Sequence, residues 1–114
     1  MSELNKLYKT QTELIKLILR RIEFFEKNSG KISQEARVGF MNILNEIKYI
    51  LQHQDVKNIS PLTFADYIDK LHSYFLAIPD ELYESYLKLK EDLHDLRGIV
   101  HRIKYLEKKV GKLI

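Results

Sequence analysis

From Asp80 to its C-terminus the chain has no proline and no cluster of turn-forming residues. Through that stretch runs an apolar heptad made of Tyr86, Leu89, Leu93, Leu96, Val100, Ile103, Val110 and Ile114, with Glu107 alone off the pattern. Steps of three and four put these side chains on one side of an α-helix, so the spacing predicts a helix over residues 80 to 112. At about 1.5 Å of rise per residue it would be roughly 50 Å long and would outreach the helices before it. Any fold of this chain must cover that stripe or leave it for a partner. Gly98 lies inside it, at a cost of about 1 kcal/mol relative to Ala. It predicts a kink, the close approach of another helix, or a tolerated surface glycine.

Three shorter stripes precede it. Leu4, Leu7, Tyr8, Gln11, Leu14, Ile15, Ile18, Ile22 and Phe25 recur at helical spacing, opposite Lys6, Lys9, Glu13, Lys16, Arg20 and Glu23. Asn28, Ser29 and Gly30 form the stop, with Gly30 expected in the left-handed conformation. Ser33 is an expected N-cap for a second helix carrying Phe40, Ile43, Leu44, Ile47, Ile50 and Leu51. The third opens on Ile59-Ser60-Pro61-Leu62-Thr63-Phe64: Ser60 caps, Pro61 takes the first helical position, and Ile59 can staple onto Phe64. Phe64, Ile68, Leu71, Phe75 and Ile78 extend its face until Pro79 ends it. The expected helices span residues 3 to 27, 33 to 53, 60 to 78 and 80 to 112. Their short connections predict an all-α, antiparallel four-helix bundle with a long C-terminal helix, and residues 1 to 114 read as one domain.

The absence of cysteine removes disulfides, thiolate nucleophiles and Cys-based zinc sites. Charged residues interrupt every apolar run, so neither a signal peptide nor a membrane span is expected, and a soluble, cytoplasmic protein is. A formal charge of +3 is compatible with nucleic acid or an acidic partner without requiring either.

Candidates for chemistry are few. Glu91 and His94, and Asp69 and His72, each have the carboxylate-to-histidine spacing of di-iron bundles, but they fall on consecutive helices, and the neighbouring Leu93 and Leu71 turn the carboxylates towards solvent. Neither a metal nor another cofactor is expected. Tyr67, Tyr74, Tyr83 and Tyr86 gather near the junction of the last two helices, where packing at a bundle end is the expectation and base stacking the alternative. Arg97-Gly98-Ile99-Val100-His101 resembles the Arg…His signature of the HEPN family, helical bundles that often cleave RNA with that arginine and histidine. The resemblance covers five residues and implies ribonuclease activity at Arg97 and His101. The spacer here is three residues instead of four to six, Gly98 follows the arginine where Asn is frequent, and the motif lies in mid-helix. The plainer expectation makes both residues part of a solvated face.

The sign of charge reverses along the last helix. Residues 80 to 95 carry a net −4 and residues 97 to 114 a net +5, with histidines neutral. The helix dipole favours such an arrangement only within the terminal turns. The expectation is a non-catalytic interaction or assembly protein acting through a protein partner or as a homodimer, with two last helices paired antiparallel so that opposite charges meet. The alternative is a nucleic-acid-binding module. Both readings use the same contact residues: Arg97, Arg102, Ile103, Lys104, Leu106, Lys108, Lys109, Val110 and Lys112.

Overall fold

Four apolar stripes require four helices. They are present in the computed structural model, which describes the backbone of residues 2–113 and the side chains of residues 2–111. Helices α1 (Glu3–Asn28), α2 (Gln34–His53), α3 (Pro61–His72) and α4 (Asp80–Leu113) are joined through single 3₁₀ turns at Ser29–Lys31, Val56–Asn58 and Phe75–Ala77. No strand occurs among the described residues. Each helix runs antiparallel to the one before it, and α4 closes the ring against α1, as the pairs Phe25 with Phe40, Phe40 with Tyr74, Leu71 with Tyr86, and Glu3 with Arg102 show. The bundle measures 55 × 23 × 22 Å.

The stripes become the core. Ile18, Ile22 and Phe25 of α1, Phe40 and Leu44 of α2, Leu71 of α3, and Tyr86, Leu89, Leu93, Leu96, Val100 and Ile103 of α4 lose all their exposed surface. Such side chains contribute about 1.5–3 kcal/mol each when fully buried. Phe25, Phe40 and Tyr74 meet edge to face, with ring centroids 5.3 and 5.7 Å apart. Tyr86 is wholly buried yet satisfied, because its hydroxyl donates to the Leu71 carbonyl at 2.6 Å. Burial and the neighbouring Tyr83 push its phenol up to about 12.

Two expectations are corrected. The third helix stops at His72 instead of continuing to residue 78. In a longer α-helix the Leu71 carbonyl would accept from the Phe75 N–H, but here it accepts from the Tyr86 hydroxyl and the Tyr74 N–H. Phe75 therefore leaves the core face and Tyr74 packs on Phe40. Gly30 does not adopt a left-handed backbone. The chain there tightens into a 3₁₀ turn, and the Arg37 guanidinium donates to the Gly30 and Ile32 carbonyls. As expected, α4 is the longest helix, with 34 residues against 26 in α1. The N-terminal turns of α1 and the turn Val56–Asn58 cover it as far as Glu107, which faces Tyr8 and Lys57.

The signal at Ser60 is realised as read: its hydroxyl accepts from the Leu62 N–H at 3.2 Å, Pro61 begins the helix, and Ile59 and Phe64 are both buried. This cap fixes the N-terminus of α3 against the middle of α4, and the junction of those two helices is where the candidate site lies.

Candidate functional site

Beside its apolar stripe, α4 carries a second one. His94, Arg97, Gly98, His101, Lys104, Tyr105 and Lys108 follow at steps of one and three residues, so they share the neighbouring face. Opposite them stand Pro61 and the turn carrying Lys57 and Asn58. A groove of about 360 Å³ is lined by Pro61, His94, Arg97, Gly98 and His101. Past Pro61 and His101 it opens into a recess of about 230 Å³ that adds Lys104, Tyr105 and Lys108. A further recess of about 310 Å³ joins Lys104 and Lys108 to Lys57, Asn58 and Glu107. From His94 to Lys108 the path follows α4 for roughly 21 Å.

Most cations of this groove have no acidic partner, as is also true of Lys6, Lys9, Lys16, Arg20, Arg37, Lys70 and Lys90 elsewhere among the described residues; what sets them apart is that they line one path. Arg102 turns away to Glu3 at 3.0 Å, and Lys57 lies 3.9 Å from both Asp55 and Glu107. Among the described residues, no carboxylate comes within ion-pair distance of Arg97, Lys104, Lys108 or Lys109. On the acidic half of α4 three of the six acids are paired among the described residues, Glu81 with Lys31 at 3.2 Å, Glu84 with Lys88 at 2.8 Å and Asp92 with Arg21 at 2.7 Å, and Asp80, Glu91 and Asp95 are not. Tyr105 keeps 51% of its surface at the lip of the groove. Arg102 and Lys109 lie 5.4 and 5.9 Å from its ring centroid. Behind the groove, burial and then the Glu107 carboxylate raise the Tyr8 phenol above its ordinary value.

Of the contact residues read from the sequence, Arg97, Lys104 and Lys108 line the groove and Lys109 flanks it. Arg102 is engaged by Glu3. Ile103 is fully buried in the bundle and is removed from any interface, and Leu106 is half-buried. Val110 is exposed, and the Lys112 side chain lies outside the described residues. The structure adds His94, Tyr105, Lys57 and Pro61. Tyr105 had a signal, since Arg102 and Lys109 stand three residues before and four after it.

The other candidates come apart. Glu91, Asp69, His94 and His72 are all exposed, and among the described residues no three potential metal ligands converge. His72 instead stacks on Phe75 and lies 3.2 Å from the Lys90 ammonium. Tyr86 and Tyr74 are packing residues, and Tyr67 is half-buried, its phenol raised by burial and by the Glu46 carboxylate. A further groove of about 530 Å³ between α2 and α3 is lined by Asn42, Asn45, Glu46, Tyr49, Ile50 and Tyr67, none of them a cation. Arg97 and His101 do share a groove, as the HEPN resemblance requires of a common site. Comparison with known protein families, curated proteins and solved structures finds no match for this chain.

Proposed function

We propose that this protein is a non-catalytic module that holds single-stranded nucleic acid along the groove between α3 and α4. The observation that carries this reading is the set of unpaired cations Arg97, Lys104, Lys108 and Lys109 along one groove. Phosphates spaced along a strand are the natural counter-charges for such a row. The Tyr105 ring, half exposed and close to two cations, is a platform on which an unpaired base can stack, and a duplex would not offer that base. The competing reading, self-pairing of α4, loses its apolar seam because Tyr86 to Ile103 are consumed inside one chain. What it retains is charge complementarity with Glu91 and Asp95, which have no ion-pair partner among the described residues.

The test is a titration of labelled oligothymidylate, oligouridylate and duplex DNA at two salt concentrations. Neutralising about four phosphates on a single strand gives a log–log slope near −2.8, so affinity should fall about 50-fold between roughly 50 and 200 mM salt. The single strands should bind better than the duplex, and replacing Lys104 and Lys108 with Ala should flatten the slope. Affinity that ignores salt, or a salt-sensitive dimer in light scattering with no binding of any oligonucleotide, would move the assignment to self-association.

A further inference from the structure

The cations account for attraction and leave Gly98 unexplained. Glycine is the poorest helix former after proline, yet Gly98 sits in the interior of the 34-residue α4. Its backbone does not need glycine, since no described glycine has a positive φ. Packing does not need it either, because a methyl group built on Gly98 meets nothing within 4 Å. The missing side chain leaves a notch in the exposed surface of α4. On one side lies the groove with Pro61, Arg97 and His101, and on the other a shallow recess with Thr10, Leu14, Asp95 and Ile99; His94 borders both.

The notch faces donors. Arg97 precedes Gly98 and has no carboxylate partner among the described residues, while His94 and His101 stand one turn before and one turn after it. A guanidinium offers five N–H donors in a fixed plane, and an imidazole offers one when neutral and two when protonated. The groove side of the notch has no carboxylate lining.

We infer that Gly98 is the seat of a phosphodiester group on the groove side of α4, the point where a bound single strand comes closest to the helix backbone, with Asp95 on the far side keeping the strand from crossing. This rests on the nucleic-acid reading above and adds to it the place and the reason for the glycine. Arg97 supplies the charge-assisted hydrogen bonds to the phosphate oxygens, His94 and His101 flank them, and the absent Cβ lets the sugar-phosphate chain lie down between the two rings. A side chain at position 98 would hold the phosphate away from Arg97. The groove would then keep its charge and lose its fit.

The experiment compares Gly98→Ala and Gly98→Leu with the unmodified protein, using thermal melts and titration of labelled oligouridylate at fixed salt. Both substitutions favour the helix, and Gly98→Ala should raise the melting temperature by about 4 °C. Affinity should nevertheless fall about tenfold for Ala, the loss of one charge-assisted hydrogen bond, and further for Leu. The slope with salt should change little in Gly98→Ala, whereas the Lys104→Ala, Lys108→Ala double variant should flatten it. If both Gly98 variants bind as the unmodified protein does while the lysine variant binds weakly, the seat is wrong and the nucleic-acid reading stands. If the unmodified protein binds no oligonucleotide, both fail together.

Discussion

Asp92 is the charged residue most deeply buried among the described ones, at 9% exposure, and its carboxylate accepts from the Arg21 Nε at 2.7 Å across the α1–α4 contact. The Arg21 side chain keeps 21% of its surface and the Asp92 side chain 12%. The pair therefore falls between an exposed ion pair, worth about 0–1 kcal/mol, and a fully buried one, whose severing costs about 3–5 kcal/mol. Arg21→Met keeps the aliphatic stem and strands the carboxylate beside Leu89 and Leu93, with an expected loss of about 2–3 kcal/mol. Asp92→Leu should cost less, because the longer arginine can swing its head to water. With both replaced, an apolar pair of similar volume fills the seam, and stability should return to within about 1 kcal/mol of the original. The coupling should then be at least about 2 kcal/mol. Urea unfolding followed by far-ultraviolet circular dichroism measures all four proteins, provided that the slope with denaturant stays constant. Because the pair is shielded from solvent, most of the coupling should survive about 0.5 M salt. Single variants within about 0.5 kcal/mol of the original, with no coupling, would show that solvent screens the pair as on an open surface and would refute the assignment.

Tyr86→Phe should cost about 0.5–1.5 kcal/mol through the lost bond to the Leu71 carbonyl, read in the same urea assay. The buried phenol is raised to about 12, so its contribution is whole below the unfolded value near 10 and is lost as pH rises through about 12. Alkaline unfolding should accordingly be steeper in the unmodified protein than in Tyr86→Phe, by about 1.4 kcal/mol per pH unit at most in that window; parallel curves would argue against it. Gly39→Ala should act in the opposite direction to Gly98→Ala, because its methyl group would fall on the Tyr74 hydroxyl, and Tyr74 is held against Phe40. A net loss of about 1–2 kcal/mol is expected, with most of it recovered when Tyr74→Phe is added; no recovery would place the strain elsewhere.

Periodicity made the helices readable because the same residues that define a stripe are those that a neighbour covers. Ile18, Ile22 and Phe25, or Leu89, Leu93 and Leu96, are examples that required no knowledge of the partner helix. The end of α3 was hidden because it depends on a long-range bond, Tyr86 to Leu71, that no local pattern announces. Asp92 had a local signal, since it lies three residues after Leu89 and four before Leu96 and so on the same face. Its neutralising partner, 71 positions away in α1, could come only from the packing. In the groove, Arg97, Lys104 and Lys108 were legible as a basic run. Pro61 and Lys57 were not, because their place opposite α4 depends on how the Ser60 cap sets α3 against it.

The reversal of charge along α4 has different consequences at its two ends. In the acidic half the fold uses several of the charges: Lys31 from the turn after α1 takes Glu81, Arg21 takes Asp92, and Lys88 bridges back to Glu84. In the basic half, of the cations described, only Arg102 meets a carboxylate, Glu3 at the start of α1. The helix dipole reaches about one turn, so it favours Lys109 and not Arg97 or Lys104. Folding therefore gains little from Arg97, Lys104 and Lys108, while their mutual repulsion along one face works against it. The same holds for Gly98, which weakens the helix beneath them. A row of costs on a single face, with no return inside the chain, is what a surface shaped for a charged partner presents, and for that reason neutralising Lys104 and Lys108 separates binding from stability more cleanly than any substitution in the core.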